Sequence, residues 1–199
     1  MDDYIERYLC EVQEVARRIP AAHVENMVER LVGIREAGGR LFFLGVGGGA
    51  GNATHAVNDF RKIAGLEAYT PTDNISELTA RVNDEGWQTT FTRWLQTSRL
   101  CSRDGIFVFS VGGGDQTKNI SANIVEALKY AQDVGATILG VVGRNGGYTA
   151  EVADACVVIP TISPDTVTAH AESFQAVVWH LIVSHPRMKV VEMKWESVQ

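Results

Sequence analysis

The chain has 199 residues, with 18 Lys+Arg against 24 Asp+Glu, 45% hydrophobic and 21% charged, which suits one well-buried domain and leaves two cramped. A formal charge of −6 and the lack of a basic run exclude a protein that grips a nucleic-acid backbone by releasing counterions. The acidic start Met1-Asp2-Asp3-Tyr4 has no apolar segment behind it, and the most apolar stretch, 176–183, is interrupted by His180 and far short of the roughly 20 residues of a bilayer helix, so neither a secretory signal nor a membrane partner is expected.

Tyr4, Leu9, Val12, Val15 and Ala16 recur at helical spacing, as do Val24, Met27, Val28, Leu31, Val32 and Ile34, and Pro20 separates the two predicted helices within residues 4–37. Gly38-Gly39 ends the second helix. Residues 40–44 then read as a strand covered on both faces. Similar apolar runs at 106–109, 137–142 and 156–159 alternate with helical periodicity. That alternation predicts an α/β fold, a three-layer sandwich with a parallel sheet flanked by helices. Residues 76–100 read as a helical excursion, and Pro164 is expected to open the last long helix, ending before Pro186. Cys10, Cys101 and Cys156 are odd in number and lack CxxC spacing, the usage of reduced, structural thiols in a cytoplasmic protein.

A repeat stands out. Residues 41–49 and 106–114, both an apolar strand followed by Val-Gly-Gly-Gly, superpose at an offset of 65. In an open parallel sheet such turns lie at the carboxyl ends of strands, where ligands bind. Converging main-chain N–H groups and a following helix N-terminus hold a phosphate or carboxylate without a cationic side chain, which reconciles an anionic ligand with an acidic chain. The same glycines also serve where a strand merely turns tightly into a helix. Gly45-x-Gly47-x-x-Ala50, with Glu67 at the distance of a ribose-binding acid, keeps a nicotinamide cofactor open, although a dinucleotide fold uses one such turn and not two. Neither turn contains Gly-Lys-Ser/Thr, so nucleoside triphosphate hydrolysis is not expected.

Behind the first turn, Asn52 reads as the N-cap of a helix carrying His55 and Asp59 one turn apart, suited to metal ligation or to a carboxylate steadied by an imidazole. Glu172 and His180 form a second pair on the last helix. About 12 Å of helix separates them, so one ion reaches both only over the turn of small Ala176. His170 is an alternative ligand, His23 and His185 sit near helix ends, and Trp87, Trp94 and Trp179 read as core or interface residues.

Two N-terminal helices, the Gly-Val-Gly-Gly-Gly turn, His55-x-x-x-Asp59, Val82-Asn83-Asp84-x-Gly86-Trp87, Phe91, Arg93, Ser121-Ala122-Asn123, Gly146-Gly147 and His180 together resemble the phosphoheptose isomerases of the sugar-isomerase (SIS) fold, over nearly the whole chain. The resemblance implies a single flavodoxin-like SIS domain, 1–199, with helices 1–38 used in oligomerisation. It implies a homotetramer with sites between subunits, and an aldose-ketose isomerase that converts sedoheptulose 7-phosphate to D-glycero-D-manno-heptose 7-phosphate through an enediolate. By the same resemblance, zinc falls to His55, Asp59, Glu172 and His180, with Asp59 as base and His180 as acid. Asp59 stands where Glu is usual and Glu172 where Gln is usual. For the substrate and its phosphate the resemblance implies Gly47, Gly48, Gly49, Asn52 and Asp84 on one side, and Ser110, Gly112, Gly113, Gly114, Thr117 and Ser121 on the other. Gly49 and Gly112 replace serines usual in the family, residues 116–120 are inserted, and Lys118 is a further candidate at the phosphate. Arg93 and Asp84 line the pocket by resemblance or form a structural ion pair. A non-catalytic SIS adaptor that binds a replication initiator is the alternative, and the retained His and carboxylate set argues against it.

Overall fold

The computed structural model describes residues 3–194. Helix α1 (Tyr4–Arg18) begins where the Asp3 carboxylate accepts the N–H groups of Ile5 and Glu6, at 3.1 and 3.3 Å. It stops where Pro20 forces Ile19 into an extended conformation. Helix α2 (Ala21–Glu36) buries Val24, Met27, Val28, Leu31, Val32 and Ile34, and Gly38 ends it at a positive φ of 64°. Of the two, α2 is therefore a core helix, and α1 is the one that leaves Tyr4, Ile5 and Leu9 exposed.

Strands β1 (Arg40–Gly45), β2 (Glu67–Tyr69), β3 (Gly105–Ser110), β4 (Thr137–Val142) and β5 (Ala155–Val158) pair in parallel in the order β2-β1-β3-β4-β5. Between them run α3 (Gly48–Lys62), α4 (Ile75–Glu85), α5 (Thr90–Thr97), α6 (Ala122–Val134) and α7 (Gly147–Val152), and α8 (Val167–Ser184) closes the fold. Side chains alternate along each strand. Leu41, Phe43, Phe107, Phe109, Leu139 and Val141 enter a core shared with α2, α3 and α8. Phe42, Leu44, Ile106, Val108 and Ile138 enter a second core with α5 and α6. Each such side chain contributes about 1.5–3 kcal/mol on burial, so the sheet is held from both faces and a three-layer sandwich results.

The strand order reverses between β1 and β3, and a ligand crevice opens at that switch in folds of this order. Both glycine turns lie there. At the opposite end, Arg40 Nη2 donates to Asp104 Oδ2 at 2.7 Å and the Arg40 N–H to Oδ1 at 2.9 Å, clamping the start of β1 to the turn that leads into β3. Burial alone raises the Asp104 carboxyl, but the Arg40 guanidinium and the N–H groups of Arg40 and Cys101 outweigh it and hold the group below the usual aspartate range.

Several expectations need correction. β2 has three residues, only Ala68 of them buried, and carries no apolar run that would announce it. The helix expected to begin at Asn52 begins at Gly48, with Gly47 as its cap, because a glycine surface lets α3 approach the sheet: a Cβ on Gly49 would lie 2.5 Å from the Phe109 carbonyl oxygen. The last helix starts at Val167 and not at Pro164, and its capping residue Thr166 donates its hydroxyl to Glu11. Cys156 is largely buried and its thiol is pushed up to about 12, in keeping with a structural thiol. Among the described residues no helix is long and apolar enough to cross a membrane.

Candidate active site

His55 and Asp59, one turn apart on α3, meet His180 of α8. Asp59 Oδ2 lies 3.5 Å from His55 Nε2 and 3.4 Å from His180 Nε2, and the imidazole centroids are 5.3 Å apart. The carboxylate is sunk, its side chain 10% exposed, while the His55 and His180 side chains are 56% and 49% exposed. His180 Nδ1 sits 2.7 Å from the Ala176 carbonyl oxygen, which only accepts, so Nδ1 carries a proton and Nε2 is the nitrogen that faces Asp59.

This donor set fits a divalent cation. Four ligands at zinc-like bond lengths stand about 3.3 Å apart around a tetrahedron, close to the two separations at Asp59. Two imidazoles and one carboxylate are borderline-soft and anionic donors of the kind zinc takes, and the Ala176 carbonyl supplies the outer hydrogen bond that fixes a ligating imidazole. Three protein donors leave a position open.

Glu172 is not in this group. Eight residues of helix, about 12 Å, separate it from His180. Its carboxylate instead rests on Gly48 at the start of α3, where a Cβ would collide with it. The fourth predicted ligand is thus displaced into the neighbouring cavity. Asn52, expected at the substrate, donates its amide to the Glu172 carbonyl oxygen at 3.0 Å and to Gln175 Oε1 at 2.7 Å, and so ties α3 to α8.

That cavity, of about 920 Å³, lies against the second turn. Ser110, Gly112, Gly114, Thr117 and Ser121 line it, with Lys118 and Arg144 as its cations and Asp115, Glu151 and Glu172 as its carboxylates. Gly113 stays beneath, its φ at 70°, packed so closely on the Gly146 carbonyl oxygen that no side chain fits. Ser110 Oγ accepts the Gly113 N–H at 3.0 Å and keeps its own proton to donate. The Thr117 hydroxyl is committed to Asp115 Oδ1 at 2.7 Å, and the N–H groups of Thr117 and Lys118 also bond that oxygen. These hydrogen bonds, led by the Thr117 hydroxyl, hold the Asp115 carboxyl below its ordinary range. The first turn contributes Val46 and Gly49 to the lining. Its Gly49, Ala50 and Gly51 N–H groups bond the Val46 and Gly47 carbonyls, and Gly47 and Gly48 do not reach the cavity wall.

Other expected residues lie apart from the cluster and the cavity within this chain. Asp84 is exposed on α4 and accepts from Asn83 Nδ2 at 2.7 Å, outside the cavity lining. Arg93 donates to Gln96 Oε1 at 3.2 Å on the exposed face of α5 and forms no ion pair with Asp84. His170 is buried against Glu11, with Nε2 2.8 Å from Oε2, and takes no part in the cluster. Glu67, the proposed ribose acid, begins β2 opposite Arg40, at the end of the sheet away from both turns, which removes the nicotinamide reading. Arg144, absent from the sequence expectations, also lines the cavity at a φ of 53°, and its place two positions before Gly146-Gly147 is the sequence signal that points to it.

No family model matches the chain. It is 29% identical over 189 residues to a probable phosphoheptose isomerase of Thermoplasma volcanium, covering 92% of this chain and 89% of that protein. A phosphoheptose isomerase of Roseiflexus sp. is 30% identical over 177 residues, covering 86% and 82%. The solved phosphoheptose isomerase GmhA from Neisseria gonorrhoeae superposes with a TM-score of 0.78 at 22% identity over 90% of this chain and 95% of that one, which shows a shared fold. On the strength of the Roseiflexus relative, 30% identical across most of both proteins, the chain belongs to the phosphoheptose isomerase family.

Proposed function

We propose that this protein interconverts sedoheptulose 7-phosphate and D-glycero-D-manno-heptose 7-phosphate by moving a proton between C1 and C2 through an enediolate. The observation that carries this reading is the convergence of His55, Asp59 and His180 from two helices that both start at the rim of the cavity against the second turn. From Gly49 to His55, and from Glu172 to His180, the helices advance about 9 and 12 Å, a span suited to an extended heptose phosphate and too long for a triose. Ser110, Ser121, Lys118 and Arg144 are assigned to the phosphate.

Asp59 is the candidate base at carbon and His180 the candidate proton carrier at oxygen. Asp59, His55 and His180 are the residues that would hold a divalent cation, zinc by resemblance. When bound, such an ion polarises the carbonyl and stabilises charge on the enediolate oxygens. A carboxylate held to a cation is a weaker base, so the two roles compete at Asp59. Exposed Val177 and Leu181 flank His180 on the outer face of α8, and with Tyr4, Ile5 and Leu9 of α1 they supply apolar surface for a homotetramer whose sites lie between subunits. We place the enzyme in the cytoplasm. The adaptor reading gains nothing from the geometry, because binding a protein partner does not call for a convergent His-Asp-His set.

Purified protein, with and without added zinc, is incubated with sedoheptulose 7-phosphate in deuterated water, and NMR follows exchange at C1 and C2. Exchange is expected for the wild type and at least about 100-fold slower for His180→Ala and Asp59→Asn. Wild-type protein that exchanges no proton of this or any other five- to seven-carbon ketose phosphate sinks the proposal.

A further inference from the structure

We infer that Trp179 is a positioning residue for the reaction: its indole N–H holds the Asp59 carboxylate in the orientation that presents one oxygen to both imidazoles. The inference rests on the proposed role of the His55–Asp59–His180 set and concerns a residue outside it. Trp179 is 1% exposed, and a buried indole N–H requires an acceptor. Of the acceptors a core offers, it takes Asp59 Oδ2, at 3.2 Å, the same oxygen that lies 3.4–3.5 Å from His180 Nε2 and His55 Nε2. Asn58 Nδ2 donates to the other oxygen, Oδ1, at 2.9 Å. With one donor on each oxygen the carboxylate is held in one orientation, and Oδ2 keeps one lone pair that a cation would share with the imidazole nitrogens.

The ring also forms the floor of the site. Its centroid is 5.2 Å from that of His55, edge-on at 68°, and 4.8 Å from that of His180, and Phe109 supports it from behind at 5.6 Å. Asp59 is one methylene shorter than glutamate, so its carboxylate stays close to α3 and within reach of an indole on α8. The buried hydrogen bond across 120 residues thus couples the two helices at the point where their imidazoles must meet.

Cobalt(II) serves as the probe, because it replaces zinc and its visible absorption bands report ligand geometry. Trp179→Phe keeps an aromatic ring and loses the N–H. It is expected to bind cobalt about 10–100-fold more weakly than the wild type, the usual effect of losing an outer-shell hydrogen bond, with altered absorption bands and a lower kcat at nearly unchanged KM. Phe109→Leu loosens the same packing without touching Asp59 and should lower the melting temperature while leaving cobalt affinity within about threefold, so weak binding by Trp179→Phe is not general loosening. Equal cobalt affinity and identical bands for wild type and Trp179→Phe overturn the inference, as does wild-type protein that takes up no cobalt. Cobalt binding that weakens in Trp179→Phe, in a protein that exchanges no substrate proton, upholds the hold of Trp179 on a metal-binding Asp59 carboxylate and overturns the proposed reaction, and with it the role of Trp179 in that reaction.

Discussion

The turn after β1 passes into α3 within two residues, 46–47, whereas the turn after β3 spends eleven, 111–121, before α6 begins. The two glycine runs are near-copies in sequence, so the difference lies in the residues that succeed each run. In the first, the N–H groups of residues 49–51 are spent within the turn and Glu172 lies over the start of the helix. The first turn launches α3 at an angle that carries His55 and Asp59 to His180. In the second, the extra residues fold back through the Asp115–Ile120 pairing and wall a cavity containing two serines and two cations. One turn aims His55 and Asp59 at His180 and the other walls the cavity proposed for the phosphate, a division that a repeated glycine motif by itself conceals.

Both turns hang from strands joined at their far ends by Arg40 and Asp104, so the largest predicted effect strikes both together. Asp104→Ala leaves the Arg40 guanidinium, 27% exposed, without its carboxylate and is expected to cost about 3 kcal/mol in urea unfolding, the lower end for a buried pair because water partly reaches the arginine. The Asp104 carboxyl is held below its ordinary value of 3.8 in the folded state. Its contribution is therefore complete above that value and is lost as pH falls through the lowered folded value. Asp104→Asn should flatten the acid limb of the stability curve in that window and leave the neutral and alkaline limbs parallel to those of the wild type.

A smaller pair of effects separates the turns. Gly113→Ala combines a positive φ with a collision against the Gly146 carbonyl and is expected to cost about 2–3 kcal/mol and to weaken phosphate binding. Gly47→Ala also meets a conformational penalty, at φ 60° and ψ −124°, but in open space, and should cost about 1–3 kcal/mol with phosphate affinity retained. Equal losses of inorganic phosphate affinity in the two variants, measured by calorimetry, would erase the functional distinction between the turns.

How far the sequence revealed this arrangement depends on how each element is held. β1, β3, β4 and β5 were legible because burial on both faces writes an unbroken apolar run, and β2 was not, because an edge strand of three residues needs only Ala68 inside. His55, Asp59 and His180 were nominated by helical spacing and family resemblance, and their meeting is a matter of helix packing, which spacing cannot supply. Glu172 lies where its spacing carries it: two full turns of helix set it apart from the His55–Asp59–His180 cluster and onto Gly48. Asp84 and Arg93 were carried over by resemblance onto an excursion whose α4 buries none of its own residues. The bond from Trp179 to Asp59 joins residues 120 apart and leaves no local trace.

The finest test concerns the two serines that the family usually carries and this chain has as glycine. A Cβ on Gly112 meets nothing within 4 Å, Gly112 is not among the positive-φ glycines, and it lines the cavity. A Cβ on Gly49 would press on the Phe109 carbonyl oxygen at 2.5 Å. Gly112→Ser should therefore add a hydroxyl to the cavity wall without disturbing the fold, lowering the KM for a heptose phosphate about 3–10-fold at constant kcat, the yield of about 1 kcal/mol from one new hydrogen bond. Gly49→Ser should lose stability, because it forces α3 away from β3 and with it the imidazole of His55. If Gly49→Ser instead lowers KM while Gly112→Ser leaves it unchanged, the phosphate belongs to the first turn. Its N–H groups would then have to exchange their bonds to Val46 and Gly47 for the substrate, and the assignment of the two turns would be reversed.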